Sequence, residues 1–142
     1  MAFYNYDPGR VVVTFRGVLL QGFMDGTFVS AERTEDAYTM PVGAGGDVTR
    51  VRSRNRTGSV TATLMAASPV NDLLSTIAAI DEETGLGTGA LLVKDLMGTT
   101  LCNASVAWIK KMPVGEYATD ASSRAWVFDC AELKMHIGGN VL

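Results

Sequence analysis

The sequence predicts a mainly β protein, an antiparallel two-sheet β-sandwich or barrel with one flanking α-helix. Three observations predict it. Short runs of apolar residues alternate with polar ones, the pattern of a half-buried strand. Only one segment repeats apolar residues at helical spacing. Fifteen glycines and an aromatic fraction of 8% suit a chain that turns often. At 142 residues, one domain with its own core is expected over 1–142.

Met1 to Gly9, ending in Asp7-Pro8-Gly9, reads as an N-terminal arm that leads into the domain. Arg10 to Phe15 is β-branched and apolar, and Arg16-Gly17 breaks it before Val18, Leu19 and Leu20, which is a hairpin signal. Thr27 to Arg33 is a strand with no charge before Glu32. Thr34 to Gly46 is a long polar loop, and its Gly43-Ala44-Gly45-Gly46 run invites comparison with phosphate-cradling loops. That comparison fails, because no Lys-Ser/Thr follows and no helix begins there to supply N–H groups and a dipole.

Asp47 to Arg54 reads as a second strand of this central stretch. It sets Val48, Arg50, Arg52 and Arg54 on one face and Thr49, Val51 and Ser53 on the other. Asn55 to Gly58 makes a turn into a third strand, Ser59 to Leu64, with Val60, Ala62 and Leu64 opposite Ser59, Thr61 and Thr63. Ser68-Pro69 starts the helix, expected over 69–83, in which Val70, Leu73, Leu74, Ile77 and Ala78 share one face. Asp81, Glu82 and Glu83 sit at the end that disfavours anions, so the helix should stop or fray near Asp81, with Gly85 available to end it. Ala90–Lys94, Thr99–Cys102, Ala104–Lys110, Arg124–Cys130 and Glu132–Ile137 are further strands, and 138–142 is a C-terminal tail.

The formal net charge of −3 excludes a global basic field of the kind that grips many phosphates. Charge is nevertheless segregated. Asp25, Glu32, Glu35, Asp36 and Asp47 accompany only Arg33, whereas Arg50, Arg52, Arg54 and Arg56 follow with no acid among them. Such blocks suit either complementary surfaces on neighbouring copies or a solvated strand whose arginines pair within the chain. Cys102 and Cys130 lie far apart and outside any CxxC spacing, and read as small core residues. No signal peptide or membrane helix is legible, so the two glycosylation sequons, at Asn55 and Asn103, read as chance matches.

No catalytic, metal or cofactor site is organised. His136 is the only histidine and falls on a strand between charged neighbours, at the surface. The pairs Glu35-Asp36 and Glu82-Glu83 are adjacent carboxylates that point apart. Trp108 and Trp126 are flanked by apolar strand residues and read as core. An enzyme is therefore the weakest class, behind a ligand-binding β-barrel and an assembling structural protein.

Several segments in fixed order, GVLLQGFMDGTFVSAERTEDAYT, VGAGGDVTRVRSRNRTGSVTATL, SPVNDLLSTI, LLVKDLMGTTL, AWIKKMP, SRAWVFDCAEL and the terminal GGN, carry a resemblance across nearly the whole chain. In them the chain resembles the tail-tube proteins of contractile-tailed bacteriophages. The resemblance implies a structural virion protein, assembled in the host cytoplasm, whose hexameric rings stack into the inner tail tube and conduct DNA without binding it specifically. It implies contacts with the tail sheath protein and with baseplate and tail-terminator proteins at the tube ends, and neither a cofactor nor a small-molecule substrate. A tube of a type VI secretion or tailocin system is the alternative within the class.

By the same resemblance the 34–46 loop packs on a neighbouring subunit or the next ring. Its contact candidates are Glu35, Asp36, Tyr38, Val42, Gly43, Gly45, Gly46 and Asp47. Glu32, Arg50, Arg52, Thr61 and Thr63 are candidates for the channel lumen or a subunit seam. Channels of this kind tend to be acidic, so the arginine row departs from the pattern unless acids neutralise it across a seam.

Overall fold

A computed structural model describes residues 1–140. Val141 and Leu142, the end of the expected tail, lie outside the described residues. Strand β1 (Val11–Phe15) turns through Arg16 and Gly17 into β2 (Val18–Leu19). Both turn residues have positive φ, 51° and 80°, which matches the two-residue turn whose twist fits paired strands. Strand β3 (Val29–Arg33) precedes a long excursion that holds the short strands β4 (Tyr38–Thr39) and β5 (Val51–Arg52). Strand β6 (Gly58–Met65), helix α1 (Val70–Thr84), β7 (Gly89–Asp95), β8 (Leu101–Lys111), β9 (Ser123–Cys130) and β10 (Lys134–His136) follow.

All pairings are antiparallel. The main sheet runs β2-β1-β7-β8-β9-β6-β3, with β10 also on β8, while β4 and β5 pair only with each other. The two layers of the sandwich are halves of this one sheet. In β8, Cys102, Ala104, Ala107 and Ile109 are buried, so the inward face changes parity across Ser105 and Val106. The pairing with β7 shifts register at the same place, which marks a β-bulge, and bulges bend strands. In a flat sheet β1 and β9 would stand about 14 Å apart, three strand spacings. Instead the Phe15 and Phe128 rings lie 4.9 Å apart, so the sheet has folded over to enclose its core.

That core alternates along each strand: Val60, Ala62 and Leu64 on β6, Trp126, Phe128 and Cys130 on β9, Leu91 and Val93 on β7. Helix α1 adds Val70, Leu74 and Ala78. Its start is fastened by Asn71, whose amide donates to the carbonyls of Met65 and Ser68 at 3.0 Å each and whose Oδ1 accepts from Trp126 Nε1 at 2.9 Å. Ser68 is buried and donates to the Gln21 carbonyl at 2.7 Å while accepting weakly from the Val70 N–H. The helix does not end near Asp81. The Asp81 carboxylate accepts the Gly87 N–H at 3.0 Å, which gives that acid a local partner, and Gly85 ends the helix with φ 72°.

Three other expectations are corrected. The strand expected at Asp47–Arg54 is reduced to β5 and lies outside the main sheet. The turn at Asn55–Gly58 joins the excursion to β6, because β3 pairs β6 directly, Arg33 opposite Gly58. Thr99–Cys102 and Ala104–Lys110 form a single strand, β8, since its bulge mimics a break in the alternation.

Candidate assembly surfaces

The excursion between Arg33 and Gly58 is a projecting β-hairpin of 24 residues. Its two limbs pair as Tyr38 with Arg52, Thr39 with Val51 and Val42 with Val48. Backbone bonds from Ser53 N–H to Ala37 and from Thr49 N–H to Pro41, at 2.8 and 3.0 Å, fill the ladder between. The glycine run makes the tip. Gly43 N–H donates to Asp47, Gly46 N–H donates to Gly43, and Gly46 takes φ 89°, a conformation open to glycine. The loop expected at 34–46 is thus one limb and the tip of the hairpin, and the Arg50-containing segment is its returning limb.

Opposite residues of a ribbon share a face, so Tyr38, Met40, Val42, Val48, Arg50 and Arg52 lie together. Every residue from Thr34 to Thr57 is exposed except Ser53, which is half-buried, and Met40, Val42 and Val48 are 69%, 60% and 58% exposed. The Arg50 guanidinium stacks 3.6 Å from the centre of the Tyr38 ring. Glu35 accepts from the Ser53 hydroxyl at 3.2 Å. Among the described residues the one ion pair is Arg56–Glu132, at 3.9 Å between exposed groups, so Arg50, Arg52 and Arg54 have no carboxylate partner among those residues. The base of the hairpin is firmer: Arg33 Nε donates to the Leu133 carbonyl at 3.1 Å, and Leu133 N–H donates to Arg56 at 2.9 Å.

All eight loop candidates, Glu35, Asp36, Tyr38, Val42, Gly43, Gly45, Gly46 and Asp47, fall on this hairpin. The five lumen or seam candidates divide. Glu32, Thr61 and Thr63 lie on the outer face of β3-β6, while Arg50 and Arg52 stand off that face on the hairpin. Register extends the face to residues the sequence reading missed. Ser30 is opposite Thr61, Ser59 is opposite Glu32 and Asp129, and Val127 is opposite Thr61. Period-two alternation from Glu32 and Thr61 was the signal that could have found Ser30 and Ser59.

Trp108 belongs to this face too, opposite Asp129 and half-exposed, whereas Trp126 is 1% exposed in the core. The apolar neighbours Ala107 and Ile109 point inward, which by strand alternation turns Trp108 out. Glu32, Ser59, Trp108, Lys110 and Asp129 line an open cleft of about 550 Å³ at the hairpin base. Acids and bases are interspersed there.

At the margin of the sandwich, Tyr6 from the N-terminal arm, Val29, Cys102 and Ile137 line a second, apolar opening of about 400 Å³. The arm is tied to the C-terminal segment by a hydrogen bond from the Asn140 amide to the Asn5 carbonyl. Phe3 and Tyr4 stay exposed. Burial raises the Cys102 thiol pKa, and burial followed by the neighbouring Asp129 charge pushes that of Cys130 up to about 11. Neither thiol is poised as a nucleophile. His136 is exposed on β10, and no group of three or more His, Cys, Asp or Glu side chains among the described residues converges as a metal site.

A folded-over antiparallel sheet with one α-helix and a long projecting hairpin defines the fold. Solved structures with that fold are similar along the chain. An anti-feeding prophage cap, the tube-terminating cap, matches with a TM-score of 0.66 at 10% identity, covering 96% of this chain and 93% of that one. The sheath-tube complex of an extracellular contractile injection system matches with a TM-score of 0.60 at 12% identity, covering 94% and 92%. In sequence, a structural protein, ORF10, of Pseudomonas phage KPP10 is 32% identical over 144 residues, covering 96% of this chain and 83% of that protein. Residues 13–138 match the family described as Bacteriophage PhiTE tail tube protein, and the chain belongs to that family of phage tail-tube proteins.

Proposed function

We propose that copies of this chain form hexameric rings that stack into the inner tube of a contractile phage tail, through which DNA leaves the virion. The observation that carries this reading is the projecting hairpin. A ribbon of 24 residues with exposed Met40, Val42 and Val48, and with three arginines that meet no carboxylate among the described residues, adds nothing to the buried core of its own copy. Exposed apolar surface of this kind marks an interface. Membership of the tail-tube family supplies the context, and the similarity to a phage structural protein favours a phage tail over a secretion system or tailocin.

In this reading the Glu32-Thr61-Thr63 face of the sheet lines the channel. Its short hydroxyls at Ser30, Ser59, Thr61 and Thr63 carry no charge, and its lysines are confined to the end of β8, where Lys110 stands among Glu32 and Asp129 and Lys111 lies opposite Val127. DNA binding strengthens with each phosphate a cation neutralises, so such a wall lets DNA slide. Arg50 and Arg52, held off the face, serve the joints between subunits. A sheath surrounds the tube, and terminator and baseplate proteins close its ends, as the sheath-tube and tube-terminator assemblies of similar fold suggest. Negative-stain microscopy of the purified protein tests the reading. Rings or hollow filaments are expected at high concentration; a protein that stays monomeric at every concentration and salt refutes it.

A further inference from the structure

The hairpin's arginine face needs an occupant, and the rest of the chain offers a surface with the opposite charge. Between Arg56 and Lys94 there is no Lys or Arg, while that stretch holds Asp72, Asp81, Glu82 and Glu83. Between Asp47 and Asp72 there is no Asp or Glu, while that stretch holds Arg50, Arg52, Arg54 and Arg56. These blocks do not meet within one copy, since Arg56–Glu132 is the one ion pair among the described residues.

The acids belong to α1 and end it badly. Its last turn has acids and no base, so Glu82 and Glu83 oppose the negative end of the helix dipole. A cation brought from outside would relieve both. The same helix exposes Leu73 and Ile80, which are 53% and 44% accessible and two turns apart, about 10.5 Å along the axis. On the hairpin, Tyr38 to Val42 spans about 13 Å, so the two apolar stripes match in length. Other surfaces fit less well. The cleft at the hairpin base mixes Lys110 and Arg33 with its acids, and in the 112–122 loop Tyr117 already lies under Arg124, 5.3 Å from its ring.

We infer that the arginine face of the hairpin seats on the outer face of α1 of a second copy, with Val42 and Val48 toward Leu73, with Arg50 and Arg52 reaching Glu83, and with Glu82 adding its charge from the far flank of the same helix end. The inference rests on the tube reading and names the partner surface of its joint. Hairpin and helix are different patches, so the contact is heterologous and each copy keeps one free hairpin and one free helix to pass on. A contact of this kind generates rings or stacks and fixes their direction.

Charge exchange in the full chain tests it. Arg50→Glu with Arg52→Glu, and separately Glu82→Arg with Glu83→Arg, should each raise the critical concentration for tube formation at least about tenfold, the size expected when charge complementarity at an interface is reversed. Combining all four should return it to within about threefold of the original. A second measurement does not depend on that rescue. A chain with Val48→Cys and Leu73→Cys, oxidised as tubes, should run as a covalent ladder on a non-reducing gel, and neither single variant should. If the unmodified chain forms tubes but the double-cysteine tubes give no ladder, this joint is wrong and the tube reading stands. If the unmodified chain forms no tubes, the tube reading fails and takes the joint with it.

Discussion

Replacing Thr34–Thr57 by a four-residue turn should leave a folded monomer that cannot assemble. Arg33 already pairs with Gly58, so a short turn can join β3 to β6 without moving either strand. The excised segment contains no residue of the buried core. Two backbone hydrogen bonds at the base are lost, Thr34 N–H to Thr57 and Leu133 N–H to Arg56, at 3.0 and 2.9 Å, and each contributes about 1 kcal/mol net. Shortening the connection from 24 to about four residues returns about 1.6 kcal/mol of loop-closure entropy. The Arg56–Glu132 pair is exposed on both sides and adds little. The terms nearly cancel, so stability should change by no more than about 1 kcal/mol, a few degrees in Tm. Thermal melts by circular dichroism read the first half, and sedimentation velocity with negative-stain microscopy reads the second. Normal tubes from the shortened chain would refute the hairpin as a joint. Loss of the cooperative β melt would refute its independence from the core.

Three further predictions concern the body of the fold. Trp126→Phe removes the indole N–H that reaches Asn71 Oδ1 and leaves unfilled space in the core; it should cost about 2 kcal/mol and lower Tm by about 8 °C in a thermal melt. Gly58→Ala puts a methyl 2.6 Å from Leu133 Cδ2 and 2.7 Å from the Glu32 carbonyl, so urea unfolding should show a loss of about 1–3 kcal/mol, and a variant as stable as the parent would contradict the packing at the hairpin base. The third is a pH dependence. The Cys130 thiol titrates near 11 in the fold against an ordinary value of 9.0, so its contribution is complete below pH 9 and is lost as pH rises toward 11. Urea midpoints measured from pH 8 to 11 should fall, and Cys130→Ala should flatten that fall.

Alternation and helical spacing identify an element of sequence where a side chain has somewhere to be buried. β6 was legible because Val60, Ala62 and Leu64 go inward while Thr61 and Thr63 do not. α1 was legible for the same reason, although its acids suggested too early an end because the reach of Asp81 to Gly87 is a tertiary detail. The hairpin limbs were not. Val48, Arg50 and Arg52 alternate like a sheet strand, yet in an exposed ribbon neither face is buried and period two says nothing about which sheet receives it. Trp108 was misread through composition, since its apolar neighbours suggested a core that the bulge at Ser105 and Val106 turns it away from. Glu32, Thr61 and Thr63 were legible as polar outer positions, and alternation along the same strands reaches Ser30 and Ser59, but the neighbours Val127 and Asp129 on β9 required the register.

The arginine row was the sharpest difficulty in the sequence, because a cationic row on a channel wall would hold DNA. On the proposed assembly the hairpin removes the difficulty by geometry. A wall that must let a polyanion slide and a joint that must hold subunits need opposite chemistry, and one continuous sheet cannot supply both from neighbouring positions on a face. Carrying Arg50, Arg52 and Arg54 on a ribbon that leaves the sheet at Arg33 and rejoins it at Gly58 separates the two. The segregation has a mechanical consequence on the proposed assembly. The hairpin joins the sheet at the end of β3 and the start of β6, the strands that carry Glu32 and Thr61, so force on a joint passes first into the proposed wall. The close packing of Gly58 against Leu133, and the bonds from Arg33 and to Arg56 that hold Leu133, stiffen that junction. Loosening it with Gly58→Ala should therefore weaken the tube as well as the monomer.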